Sequence, residues 1–228
     1  MKKILLTGSD GLLGGYIYKN IANKSEVIKH SRKHFDLCDK DKLYQEYNSV
    51  DIKTIIHCAA YTDVKNSNIE HRKVFLDNIL ASVNLIDFAY YKACRFVFIS
   101  TDFVFDGSAG NYSALDKINP LSVYAKSKAS IEFALSCHPD SLIIRTSFYG
   151  EYFPFDCGCT DRYTSKDYID IIAPKIYEQA IGTRVGLMHI GTEKKSYYEL
   201  GKRRKDVSPV QCLEKNLFNK DHSFNYED

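Results

Sequence analysis

The sequence predicts an α/β protein built on a doubly wound parallel sheet, and three observations predict it. A short apolar strand, Lys3 to Thr7, runs straight into a glycine-rich turn and an amphipathic segment. Strands and helical patterns then alternate, with no hairpin turn joining any two strands. A central strand of β-branched and aromatic residues, Phe96 to Ser100, ends at Thr101 and leads to a helix that carries Tyr124 and Lys128.

The opening turn reads Gly8-Ser9-Asp10-Gly11-Leu12-Leu13-Gly14, and its helical pattern runs to about Asn23. Glycines there permit a tight turn and let backbone N–H groups approach a pyrophosphate at the helix N-terminus. Glu26 to His30 is the second strand, and it ends at Ser31-Arg32-Lys33. Two cations stand where a carboxylate would accept hydrogen bonds from a ribose, which favours a 2′-phosphate and so NADPH, with NADH as the alternative. Asp36 and Leu37 follow, then a polar helix from about Lys40 to Tyr47.

Thr54 to His57 is the third strand and runs into Cys58-Ala59-Ala60-Tyr61-Thr62, whose small residues suit a cofactor wall. A long helix over about Arg72 to Lys92 holds Asn78 among apolar positions, where an amide needs a partner. After Thr101, Asn119 and Pro120 punctuate the chain before the Tyr124 helix. Ser141 to Arg145 is the fifth strand. Tyr149 to Cys159 shows no clear period, a helix is expected near Ser165 to Ala180, and Arg184 to Ile190 reads as a strand. Ser196 to Arg204 is a last short helix, and the polar tail from Asn216 is expected to be loose. The division expected is a dinucleotide-binding unit over 1–147 and a second region over 148–228, with about 184–190 returning to the main sheet.

Composition narrows the function. A formal net charge of +2 over 228 residues leaves no long basic face for nucleic acid, and the run Lys202 to Lys205 reads as a solvated helix end. No stretch approaches membrane-spanning length, so a soluble, cytoplasmic protein is expected. The seven scattered cysteines read as reduced thiols, and Cys157 with Cys159 lacks the second ligand cluster a zinc site needs.

The chemistry concentrates at Thr101, Tyr124 and Lys128. Tyr124 and Lys128, at spacing i, i+4, share a helix face. An ammonium one turn from a phenol is expected to lower the phenol pKa, and a strand-end hydroxyl can bind the same substrate oxygen, which makes a site for proton transfer at a carbonyl or alkoxide. The Tyr-x-x-x-Lys pattern also occurs at Tyr61/Lys65 and Tyr198/Lys202, but only the Tyr124 pair follows a strand ending in a hydroxyl.

With those residues in view, the chain resembles the extended short-chain dehydrogenase/reductases of Rossmann type, and within them the dTDP-4-dehydrorhamnose reductase-like sugar-nucleotide reductases. The glycine loop, Asp36-Leu37, Cys58 to Thr62, the string Ser100-Thr101-Asp102-Phe103-Val104-Phe105-Asp106-Gly107, Tyr124 to Lys128 and Arg145-Thr146-Ser147 carry the resemblance. Tyr163-Thr164-Ser165 and Met188-His189-Ile190-Gly191 look like the family's late motifs. The resemblance implies a catalytic trio of Thr101, Tyr124 and Lys128. It implies a cofactor site of Gly8 to Gly14, Ser31, Arg32, Asp36, Leu37, Cys58 to Tyr61, Asn78, Ser100, Tyr124 and Lys128. The sugar would be bordered by Thr62, Asp102, Phe103, Val104 and Phe148.

Two departures stand out. Phe148-Tyr149-Gly150 replaces the family's tryptophan and extra residue, and only Glu151 to Thr164 separates the fifth strand from the late motifs. The substrate-binding region is therefore shortened, and a homodimer that lends residues across its interface is one arrangement left open. Related reductases that also epimerise the sugar carry a cysteine where Asp102 stands, so reduction without epimerisation is expected. The alternatives are a regulatory protein that keeps the fold, as in methionine adenosyltransferase, and a sugar-nucleotide epimerase or dehydratase.

Overall fold

The computed structural model describes residues 2–212 and 220–226. Its centre is a six-stranded parallel sheet. The strands in sequence are β1 (Lys3–Thr7), β2 (Val27–His30), β3 (Ile52–His57), β4 (Arg95–Thr101), β5 (Ser141–Thr146) and, later in the chain, β10 (Gly186–Ile190). Their order across the sheet is β10-β5-β4-β3-β1-β2, so the chain winds outward in both directions from the β1/β3 pair. Crevices beyond the carboxyl ends of such strands are where ligands bind.

Helices α1 (Leu12–Asn20) and α7 (Ile169–Ile181) pack together on one face over a core that includes Leu6, Ile56, Val97 and Ile144. On the other face lie α2 (Lys40–Tyr47), α5 (Ala81–Lys92) and α6 (Val123–Leu135), over Leu5, Ile55, Phe96 and Phe98. Sheet residues alternate between the two cores because successive strand side chains point to opposite faces. The expected long helix is α4 (His71–Val74), a π-helical segment over Phe75–Leu80, and α5 in succession, with short α3 (Val64–Ser67) before them.

After β5 the elements become short. β6 (Phe148–Tyr149) pairs with β9 (Asp167–Tyr168), which delays the start of α7 past the expected Ser165. β7 (Cys157–Cys159) pairs with β12 (Ser208–Val210), and β8 (Tyr163–Thr164) lies between β11 (Lys195–Ser196) and β13 (Asp221–His222). α8 (Tyr197–Lys202) starts at a capping box formed by Ser196 and Glu199.

Two expectations fail here. The described part of the tail is not loose: Asp221, His222, Ser223 and Phe224 are buried, and Phe224 bridges Tyr112. A parallel partner at β8 supplies the backbone bonds that its polar composition hid, while residues 216–219 and 227–228 of the expected tail lie outside the described residues. The cysteines are not all reduced either, because Cys159 and Cys212 form a disulfide. The pairing of β7 with β12 brings them together across 53 residues, which no local spacing reveals. Among the described residues, no helix is long and apolar enough to cross a membrane.

Candidate active site

The glycine loop is held by close backbone packing. Gly8 has φ +66°, and a Cβ there would lie 2.6 Å from the Ala59 nitrogen. A Cβ on Gly14 would lie 2.4 Å from the Gly8 carbonyl oxygen. The loop, the end of β3 and the first turn of α1 therefore fit together only without side chains at these two points. No side chain caps α1, so its first N–H groups are available to an anion.

Ser9 Oγ donates to the His30 carbonyl at 3.1 Å and ties the loop to β2. Leu12 is exposed beside it, while Leu13 packs inward. The expected cations stand at the end of β2, already in contact with carboxylates: Arg32 with Asp77 at 2.6 Å and Asp36 at 3.8 Å, and Lys33 with Asp10 at 3.3 Å. Ser31 is buried between them. Leu37 is buried in the core.

On the opposite wall Cys58, Ala59, Ala60 and Tyr61 are half-buried. Asn78 finds its partners here: its Oδ1 accepts from Tyr61 N at 2.6 Å, and its Nδ2 donates to Tyr61 O at 3.1 Å and Ser127 Oγ at 2.9 Å. It lies in the π-helical segment, a local distortion often found at functional sites. Its amide holds the wall and α6 in place. Beneath it, His57 contacts Thr7 Oγ1 at 2.7 Å and Ser82 Oγ at 2.8 Å. Burial, with the Lys128 charge nearby, pushes His57 down to about 3, so the ring is neutral.

Thr101 ends β4, and Tyr124 and Lys128 come from α6, which Ser122 caps by accepting from Ala125 N. Thr101 acts on the Tyr124 phenol, favouring its ionised form, and Ser67 Oγ accepts from the Tyr124 backbone N–H at 3.1 Å. The structure thus brings the three expected catalytic residues together. It corrects their electrostatics: desolvation dominates and pushes Tyr124 up to about 12, with only the Thr101 bond acting downward. Burial likewise lowers Lys128 to about 7, with its ammonium 4.0 Å from the centre of the Phe98 ring. A cation that is itself costly to bury is a weak lever on its neighbour's pKa.

Ser100, expected at the cofactor, spends its hydroxyl on Glu132 instead. Glu132 also takes a bidentate bond from buried Arg145, with contacts of 2.7–3.2 Å. This ion pair braces α6 against β5 behind the trio.

Beyond the strand ends lies a cleft of about 680 Å³. Phe103, Tyr149, Phe153, Tyr197, Arg162 and His222 are among its walls. Of the residues expected at the sugar, Phe103 lines the cleft, while Asp102 is buried, its Oδ1 accepting from Thr101 Oγ1 at 3.1 Å and its Oδ2 unpartnered. Val104 is fully buried in a separate cluster, Phe148 packs on the core, and Thr62 is exposed. Tyr149, Tyr197 and His222 escape sequence reasoning because they arrive on two-residue strands or a single helical turn. A second cavity, about 640 Å³, runs along α6, β5 and β10, and neither it nor the aromatic cleft is lined by a residue of the trio.

The model for the RmlD substrate binding domain matches residues 1–154. The chain is 35% identical over 157 residues to a dTDP-4-dehydrorhamnose reductase of Aggregatibacter actinomycetemcomitans, covering 67% of this chain and 53% of that protein. It is 32% identical over 162 residues to methionine adenosyltransferase 2 subunit beta of Danio rerio, covering 66% and 49%. It thus spans about half the length of these relatives. Among solved structures it superposes on a dTDP-4-dehydrorhamnose reductase from Bacillus anthracis in complex with NADP, with a TM-score of 0.82, 24% identity, and coverage of 93% of this chain and 86% of that one. The doubly wound fold and a match over some two thirds of its length lead to one conclusion: the chain belongs to the RmlD substrate binding domain family.

Proposed function

We propose that this protein reduces the 4-keto group of a nucleotide-linked 6-deoxy-hexulose with NADPH, without epimerisation. The observation that carries this reading is the meeting of Thr101, at the end of β4, with Tyr124 and Lys128 of α6, in a chain that also carries an uncapped glycine loop. The likeness to a dTDP-4-dehydrorhamnose reductase supports the substrate class, and the NADP bound to its structural relative supports the cofactor.

The residues fit such a cofactor: the Gly8 to Gly14 loop for the pyrophosphate, Arg32 for a 2′-phosphate, and Cys58 to Tyr61 as a wall. The cofactor would supply the hydride. On this reading residues 1–147 hold it and residues 148–228 hold most of the sugar nucleotide.

Tyr124, with its pKa near 12, is protonated at neutral pH and gives that proton to the alkoxide as the carbonyl is reduced. Thr101, whose one hydroxyl proton goes to Asp102 Oδ1 here, turns it to the same oxygen and polarises the carbonyl. Lys128, near 7 in the bare site, gains its charge once an anionic ligand lies beside it and then stabilises the phenolate left behind. A regulatory role is the second reading, favoured by the likeness to methionine adenosyltransferase 2 subunit beta.

The test is NADPH oxidation with dTDP-, UDP- and GDP-4-keto-6-deoxy sugars. Consumption with one of them, yielding the reduced sugar, is expected. No oxidation in a sample that binds NADPH by titration would reject the reductase and favour the regulatory reading.

A further inference from the structure

One wall of the aromatic cleft is a strap made of two short segments. β7 and β12 run parallel with Val210 opposite Cys159, and Thr160 extends the pairing by donating its N–H to the Val210 carbonyl at 2.9 Å. Gly158 packs on α8, where a Cβ would lie 2.5 Å from the Tyr198 Cα, so β7 turns Cys157 and Cys159 away from that helix. Cys157, Cys159 and Cys212 all line the cleft.

Asp161 completes a cluster there. Its Oδ1 accepts from Cys212 N at 2.9 Å, which brings the carboxylate to the end of the strap. The Cys159 and Cys212 sulfurs and an Asp161 carboxylate oxygen lie within 4.8 Å of one another, and all three residues are half-buried. Among the described residues, no other three His, Cys, Asp or Glu side chains bring their ligand atoms so close together. While Cys159 and Cys212 are disulfide-bonded, their sulfurs are closed to a metal. Once reduced, they are two thiols beside a carboxylate, on Cα atoms 5.6 Å apart that the β7/β12 pairing already holds. Two thiolates and one carboxylate oxygen suit a tetrahedral, thiophilic ion such as Zn²⁺, with water in the fourth place, whereas Mg²⁺ and Ca²⁺ take oxygen ligands.

We propose that Cys159, Asp161 and Cys212 form a redox-gated zinc site, so that this wall is closed by a disulfide when oxidised and by a metal when reduced. A dithiol reductant gives two electrons and two protons to the Cys159–Cys212 bond and becomes a disulfide itself, leaving two thiols. Zn²⁺ then displaces those two protons to solvent as its two bonds to sulfur form. No local spacing reveals the site, because residue 212 reaches 159 and 161 only when β12 returns to β7. The ion braces the wall and takes no part in proton transfer at Tyr124, so the site stands or falls apart from the reductase reading.

The experiment is titration of the full chain with Zn²⁺ and Co²⁺, after reduction with a phosphine and removal of metal by a chelator that is then dialysed away. The expected result is one ion per reduced chain, with a cobalt–thiolate charge-transfer band in the near ultraviolet, and no binding by the oxidised chain. Cys212→Ser should weaken Zn²⁺ by at least about a hundredfold in competition with a chromophoric chelator, since losing a ligand costs no less than losing a ligand's own partner. Asp161→Asn keeps both thiols and an oxygen to accept from Cys212 N, and a thermal melt checks that it folds. It should weaken Zn²⁺ by roughly tenfold and leave the cobalt–thiolate band in place. Zn²⁺ should raise the melting temperature of the reduced chain and leave that of the oxidised chain unmoved. No thiolate band in the reduced chain, equal binding by the oxidised chain, or full Zn²⁺ affinity in either variant overturns the site.

Discussion

The two ends of the candidate site are built in opposite ways. On the proposed cofactor side, a five-residue strand, a glycine turn and a nine-residue helix are consecutive in the chain, and β2, β3 and Ala59 then lock them in place. On the cleft side, strands of two or three residues pair across long separations: β7 with β12, and β8 with β11 and β13. So short a strand has little hydrogen bonding of its own and holds its place through packing and cross-links. The difference teaches that one half of the site is contiguous in the chain before the sheet locks it, whereas the other exists only once remote segments have met.

The largest expected effect tests whether the junction between these halves is catalytic. Tyr124→Phe removes only the proton donor, so turnover should fall by about 10²- to 10⁴-fold with NADPH affinity kept, measured by steady-state kinetics and cofactor titration. Unchanged turnover would leave both halves without a shared function.

Next is the brace behind that junction. Glu132→Ala strands buried Arg145 and should cost about 3–5 kcal/mol in urea unfolding, because the guanidinium keeps its burial and loses its counter-charge. A cost below about 1 kcal/mol would show the pair to be dispensable to the sheet.

The disulfide tests the assembly argument itself. Cys212→Ser opens a closure spanning 53 residues and should cost roughly 2–4 kcal/mol, with hydrogen exchange accelerated around β7 and β12 and little changed in β1 and α1. Acceleration spread evenly over the whole chain would mean that the two halves are one cooperative unit. The smallest effect is at the cofactor edge. Arg32→Ala should reduce the preference for NADPH over NADH several-fold in paired Kd measurements, and a fixed ratio would mean that Asp77 and Asp36 keep this cation from the ligand.

The sheet, the glycine loop and the trio were legible because their signals are local. Apolar runs fix the strands, Gly8 and Gly14 mark contacts that admit no Cβ, and a helical period puts Tyr124 and Lys128 on one face. Even Asn78 announced itself, as an amide in an apolar helix that required a partner. Where a residue's setting depends on a distant element, no local signal gives it: the Ser100 hydroxyl bonds Glu132 of α6, and Val104 packs with Tyr112 and Phe224.

By itself, then, the sequence determined the parallel sheet, the uncapped glycine turn and the shared helix face of Tyr124 and Lys128, since each follows from chain geometry within a turn or a strand. Only the tertiary structure decided that Cys159 meets Cys212, that the tail returns to put His222 into the cleft, and that the phenol is raised rather than lowered. Those outcomes rest on burial and on pairing between remote segments, and neither quantity exists until the chain has folded.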